Sequence, residues 1–102
     1  MRLTLVEKEK LKKELVVSLR DEPEITKIVV FGSFLTANEP HDLDVAVFQN
    51  SNLAYLSLAM KYRKKIRTIA RRIAVDILPV KSNAQDSAML DAIDMGEIIY
   101  ER

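Results

Sequence analysis

The sequence contains no cysteine. This absence excludes a disulfide-stabilised scaffold and a zinc site with cysteine ligands, and it is typical of proteins in a reducing compartment. The chain also lacks an apolar run long enough to span a bilayer, and its first residues do not resemble a signal peptide. We therefore expect a cytoplasmic protein that does not bind membranes.

An excess of charge of one sign is also missing. The net charge is +1, so the whole-chain balance indicates neither nucleic acid nor a membrane surface as a partner. No internal repeat, low-complexity tract or linker divides the chain. Hydrophobic residues make up 48% of the 102 positions, which is enough for one core, and we predict a single domain over residues 1–102.

Apolar periodicity predicts three helices. The first covers residues 5–20, because Thr4 and Glu7 fit a capping box and Leu11, Leu15 and Leu19 recur every fourth residue. A long helix is predicted from a cap at Ser51 or Asn52 to about residue 73, and its buried face consists of Leu56, Ala59, Tyr62, Ile66, Ile69 and Ile73. A short helix over residues 86–95 should end at Gly96 in a left-handed C-cap.

Four short apolar runs predict strands, over residues 25–31, 43–48, 74–80 and 98–100. Helices and strands alternate along the chain. The fold class is therefore α/β or α+β, with a mixed sheet of about four strands flanked by helices.

Carboxylates interrupt two of these apolar strands. Residues two apart in a strand point to the same side, so Asp42 and Asp44 project together. Two like charges held so close repel each other unless a cation lies between them, and Mg²⁺ prefers such oxygen ligands and shares them with phosphates. Asp76 can complete this group if the third strand lies beside the second.

A Gly-Ser pair, Gly32–Ser33, follows the first strand directly. Glycine allows a tight turn and a close approach of the backbone to a ligand. The residues after it can begin a helical turn whose free N–H groups bind phosphate. We expect the three aspartate carboxylates to converge beside this pair, which together would form a site for metal and phosphate.

The segments "FGS" and "DLDVAVF" resemble the signature of the polymerase-beta-like nucleotidyltransferases, and in particular the minimal members that are antitoxin-type partners of HEPN-domain proteins. The resemblance covers most of the chain, including "VDIL" and the closing "GEIIYE". It implies the nucleotidyltransferase fold, with Gly32 and Ser33 binding the triphosphate of ATP or another NTP. It further implies that Asp42, Asp44 and Asp76 are catalytic and ligate two Mg²⁺ ions.

The resemblance also implies a reaction and a partner. AMP would be transferred from ATP to a hydroxyl, with release of pyrophosphate, and the acceptor would be a tyrosine of a HEPN-type toxin held in a hetero-oligomer. Phe34 stands where family members usually have a basic residue, and a second glycine shortly after it is absent. A catalytically weak nucleotide-binding or partner-covering antitoxin is therefore an alternative.

A basic run, "KYRKKIRTIARR", places seven Lys or Arg residues between positions 61 and 72. Three interpretations remain open: a solvated helix face, a phosphate contact, or a patch for an acidic partner or RNA. The run has no aromatic platform, so an RNA-binding accessory domain is possible but not favoured. An acidic C-terminal segment of opposite charge could steer docking of a partner, and it contains Asp86, Asp91, Asp94, Glu97 and Glu101.

Overall fold

Helices and strands alternate from one end of the chain to the other in the computed structural model, which describes residues 2–84 and 88–102. The elements are α1 (Leu5–Leu19), β1 (Ile25–Phe31), α2 (Ser33–Thr36), β2 (Asp42–Gln49), α3 (Tyr55–Lys65), α4 (Arg67–Ala70), β3 (Ala74–Lys81), α5 (Ala88–Asp94) and β4 (Glu97–Glu101). The predicted class and the four predicted strands are confirmed. None of the described helices is both long and apolar enough to cross a membrane.

The four strands form one mixed sheet in the order β3-β2-β1-β4. Strand β1 is antiparallel to β2 and to β4, whereas β2 and β3 are parallel. Parallel neighbours need a long crossover connection, and here α3 and α4 supply it. The strand that carries Asp76 therefore lies beside the strand that carries Asp42 and Asp44.

The sheet has a core on each face. Alternate residues of β1 and β2, such as Ile28 and Val45, join leucines of α1 and isoleucines of α4 in the larger core. Val29, Ala46 and Phe48 point to the opposite face and pack with Ile93 of α5. One face is thus covered by α1, α3 and α4, and the other by α5.

Helix α1 begins with the predicted capping box. The Glu7 N–H donates to Thr4 Oγ1 and the Thr4 N–H donates to Glu7 Oε1, both at 3.1 Å. Leu11, Leu15 and Leu19 are buried as predicted. At the other end of the chain, α5 ends at Asp94, and the predicted start at Asp86 lies outside the described residues.

The long helix predicted over residues 52–73 is wrong in two respects. It is divided into α3 and α4 at Ile66, whose backbone has φ −105° and ψ 23°. It also begins at Tyr55, not at a cap formed by Ser51 or Asn52. Ser51 Oγ accepts the N–H of Leu53 at 3.0 Å instead, so this hydroxyl stabilises a local turn before the helix.

The predicted buried face of this segment is wrong at one position. Leu56 is 65% exposed, whereas Leu58 is 1% exposed and belongs to the larger core. The other predicted members, Ala59, Tyr62, Ile66, Ile69 and Ile73, are buried. Leu56 lies three residues before Ala59 and Leu58 lies four residues before Tyr62, so both spacings fit a helix face, and only the sheet decides which of them faces inward.

Leu58→Ala should therefore destabilise the protein far more than Leu56→Ala. Removing a buried leucine side chain leaves a cavity and costs about 2–5 kcal/mol, whereas an exposed substitution changes stability by about 0.5 kcal/mol or less. Urea unfolding of both variants measures this difference. Equal destabilisation by the two substitutions would contradict the orientation of α3.

Gly96 does not form the predicted left-handed C-cap. Among the described glycines only Gly32 has a positive φ. A Cβ atom on Gly96 would lie 2.5 Å from the Val30 carbonyl oxygen and 2.8 Å from the Phe31 Cβ. Glycine is required here because the chain passes directly over β1 on its way into β4.

Candidate functional site

The predicted site residues lie where the end of β1 meets the beginnings of β2 and β3. In the sheet register, Phe31 is paired with Asp44, and Asp44 is paired with Asp76. Asp42 is paired with Ala74, the first residue of β3. Gly32 follows Phe31 directly, so the Gly-Ser turn (Gly32–Ser33) lies at the same end of the sheet as the three aspartates.

The aspartates also lie on one face of the sheet. Asp42 and Asp44 alternate with Leu43 and Val45, which pack into the larger core under α1 and α3. They therefore point to the opposite face of the sheet, on which Ile93 of α5 packs. Asp44 and Asp76 are register partners in the parallel pairing of β2 with β3, so Asp76 is on this face as well.

The electrostatic repulsion among the three aspartates acts on the Asp44 carboxyl. Burial raises the pKa of the Asp44 carboxyl above its usual value, and the charges of Asp76 and Asp42 and the hydrogen bond with Asp76 raise this pKa further. Neighbouring carboxyl groups that repel each other are stabilised by a shared proton or by a cation between them. A divalent cation that displaced the proton would relieve both the repulsion and the cost of burial.

Gly32 brings the backbone against this carboxylate. Its φ of 78° and ψ of −158° lie in a region that is essentially confined to glycine. A Cβ atom at this position would lie 2.5 Å from Asp44 Oδ2. Ser33 then begins α2, the helical turn expected after the glycine, and both residues of the Gly-Ser turn are exposed. A phosphate bound at this turn would lie beside Asp44.

The residues fit a divalent cation in their chemistry, although a complete protein cage is not formed. The described part of the chain contains no group of three or more His, Asp or Glu side chains arranged to hold a metal ion. Asp44 and Asp76 are register partners on neighbouring strands, and the charge of Asp42 also acts on Asp44. Mg²⁺ is commonly bound by one or two carboxylates together with substrate phosphates and water, which matches this pair.

Phe34, which stands in place of a basic residue, is completely buried in the larger core. The ammonium of Lys8 lies 5.6 Å from the centre of its ring. Lys8 is itself only 7% exposed, and the sequence interpretation did not single it out. The available signal was its spacing from Leu11 and Leu15, since residues three and seven positions apart share a helix face.

Ion pairs within the chain occupy part of the basic run. Lys61 and Lys65 both bind Glu22, at 2.8 and 3.0 Å, and Arg72 pairs with Glu14. Four basic residues of the run form no ion pair with any residue that the structure describes: Arg63, Lys64, Arg67 and Arg71. The run is thus partly structural, and these four remain available for a partner.

Comparison with known protein families identifies one family that matches this chain. The family model described as "Polymerase beta, Nucleotidyltransferase" matches residues 9–102. Among curated proteins, none matches the chain by sequence.

Several solved structures share the fold. A toxin–antitoxin complex with AMP-PNP contains a chain that is 19% identical, with a TM-score of 0.69 over 89% of this chain and 73% of the other. A complex of the tri-AMPylated Shewanella oneidensis HEPN toxin with MNT antitoxin gives 20% identity and a TM-score of 0.64, over 93% and 73% of the two chains. A MntA–HpeT complex with two aspartates changed to glutamate gives 17% identity and 0.70, over 89% and 73%. These likenesses confirm the predicted fold.

Proposed function

We propose that this chain, which belongs to the polymerase-beta nucleotidyltransferase family, transfers AMP from ATP to a tyrosine hydroxyl of a partner protein. In this proposal it acts in the cytoplasm as the antitoxin of a HEPN-type toxin. The observation that carries the proposal is the register pairing of Asp44 with Asp76, with Gly32 packed directly against the Asp44 carboxylate. Metal-binding and phosphate-binding groups thereby share one end of the sheet.

Each residue of the site has a role in the proposed transfer. Asp42 and Asp44 would hold a Mg²⁺ ion that is also bound to the triphosphate, and Asp76 would hold a second one. Such ions lower the pKa of an attacking hydroxyl and neutralise the charge of the leaving group. Gly32 permits close approach of the phosphates, and Ser33 offers its hydroxyl and its N–H as donors.

The bond changes balance without any further reactant. The acceptor oxygen forms a bond to the α-phosphorus of ATP, and the bond from that phosphorus to the β-bridging oxygen breaks. Pyrophosphate leaves with the electron pair of the broken bond. In this proposal Asp76, which is exposed near the beginning of β3, accepts the proton of the hydroxyl.

Two features support a protein as the acceptor. The solved complexes that resemble this chain pair a toxin with an antitoxin, and one of those toxins carries three AMP groups. Four basic side chains between positions 63 and 71 have no ion-pair partner among the described residues, and they can steer an acidic surface toward this protein. Orientation by a docked partner can supply several kcal/mol of the barrier reduction, in the range of about 7–11 kcal/mol for well-aligned groups.

Transfer should be detected when the protein is mixed with a HEPN-type protein encoded beside it, labelled ATP and Mg²⁺. Mass spectrometry should find AMP on a tyrosine of the partner, and Asp42→Asn should lose this modification because one metal ligand is removed. A tight complex without modification under any nucleotide would favour the partner-covering antitoxin instead. RNA binding with a steep salt dependence would favour the accessory domain.

A further inference from the structure

We propose that Lys8 is a positioning residue of the nucleotide site, which holds the loop between the Gly-Ser turn and the Asp42–Asp44 strand in place. This loop, residues 37–41, joins α2 to β2. The inference rests on the proposed function, because its consequence for catalysis requires that ATP binds at the turn. The contacts that carry it are present without any nucleotide.

The Lys8 side chain reaches across from α1 to the end of α2. Its Nζ donates a hydrogen bond of 2.6 Å to the carbonyl oxygen of Ala37, the residue that caps α2. The same ammonium lies 5.6 Å from the centre of the Phe34 ring. One charged group thus contacts both the helical turn that follows Ser33 and the loop that leaves it.

A second contact from the same segment holds the next residue of the loop. The Leu3 N–H donates to the Asn38 carbonyl oxygen at 3.0 Å, just before the capping box at Thr4. Two consecutive carbonyls of the loop are therefore bound by the beginning of α1. The Gly-Ser turn lies at one end of α2 and Asp42 follows the loop at the other, so movement of this loop would change their separation.

Packing alone does not explain why a charged residue stands at position 8. Lys8 follows the same helical stripe as Leu11 and Leu15, and it is 7% exposed. A buried ammonium is unfavourable unless it is hydrogen-bonded, whereas methionine would fill a similar volume without this cost. A cation near the C-terminus of a helix also binds its last carbonyls favourably. The polar contact to Ala37 is what lysine supplies here.

The test compares Lys8→Met, Lys8→Arg and Lys10→Met in the full chain. Lys10 is an exposed lysine of the same helix and provides the matched control. The N–H groups of Leu35 and Ala37, which bind the carbonyls of Gly32 and Ser33 within α2, report on the loop by hydrogen exchange. Binding of Mg²⁺-ATP, and the kcat and KM of AMP transfer, measure how the position of the loop affects the nucleotide site.

We expect Lys8→Met to reduce the exchange protection of these two amides by about tenfold or more, since a hydrogen bond from a charged group is lost. The KM for ATP should rise by a similar factor with a smaller change in kcat. Lys8→Arg should recover most of both properties, and Lys10→Met should match the wild type. A lower Tm alone, with unchanged amide protection and KM in the folded protein, would overturn the proposal.

Failure of the proposed function gives a different result. If the wild-type protein binds no ATP and modifies no partner, the transferase proposal is contradicted. The amide protection of Leu35 and Ala37 still decides whether Lys8 holds the loop, because that measurement needs no nucleotide. Unchanged protection in Lys8→Met would overturn the inference whether or not the protein is active.

Discussion

Gly32→Ala should abolish binding of Mg²⁺-ATP and AMP transfer, and it should also lower the stability of the fold. Its backbone conformation is essentially restricted to glycine, so alanine costs about 1–3 kcal/mol. The added Cβ would lie 2.5 Å from Asp44 Oδ2, so either the turn or the carboxylate must move. Thermal melting should show a fall in Tm of roughly 5–20 °C, and calorimetry should detect no ATP binding.

Gly96→Ala separates loss of the site from loss of stability. Its Cβ would also meet neighbouring atoms at 2.5–2.9 Å, but these belong to Val29, Val30 and Phe31 and not to a carboxylate of the site. This variant should melt at a lower temperature, and its folded fraction should still bind ATP. Normal binding by Gly32→Ala would contradict the arrangement of turn and carboxylate that we describe.

Asp44→Asn should lower transfer by about 100-fold or more and leave the metal-free protein as stable as the wild type, or more stable. Loss of a residue that only hydrogen-bonds a metal ligand already lowers metal affinity or activity by about 10–100-fold. Asp44 is proposed to be a ligand itself, so its loss should cost at least as much. The substitution also removes a charge that is half-buried beside two others. Transfer assays and thermal melts with and without Mg²⁺-ATP measure the two effects, and Asp94→Asn, an exposed aspartate at the end of α5, serves as the control.

The pH dependence of stability gives an independent check on Asp44. The folded state raises the pKa of this carboxyl, so it binds the proton more tightly than the unfolded chain does. The contribution of Asp44 to the free energy of unfolding is highest below the pKa of about 3.9 that this carboxyl has in the unfolded chain. The contribution falls as the pH rises from there through the raised folded pKa, and it stays low above that pKa. Asp44→Asn should lack this fall, so its Tm should rise relative to that of the wild type over the same pH range and then keep this advantage at higher pH. A much lower Tm for the variant would make Asp44 chiefly structural.

Local sequence was sufficient to predict the parts of the fold that depend on neighbouring residues. β1 has the predicted bounds, because its β-branched apolar run is bordered by Pro23 and Gly32. The spacing of Asp42 and Asp44 placed both side chains on one face, since strand residues alternate. Contact with Asp76 was predicted only if two strands were neighbours, and the parallel pairing of β2 with β3 meets this condition.

Features that depend on distant contacts were not predictable in this way. Periodicity could not separate Leu56 from Leu58, because the first has a helical spacing to Ala59 and the second has one to Tyr62. The reason for Gly96 is the nearby backbone of β1, which lies more than sixty positions earlier. Lys8 was not singled out from the sequence, and its partner Ala37 is 29 positions away. In each case the three-dimensional packing of separate segments decided the outcome.

The position of β3 at one edge of the sheet determines how a large acceptor can enter the site. Asp76 has β2 on one side, and no described strand lies on the other. Pro79, three residues further along β3, lacks a backbone N–H and so disfavours the addition of another strand along this edge. No described strand therefore closes the approach to Asp76 from this side, which is the condition for the proposed entry of a tyrosine on the surface of a folded partner.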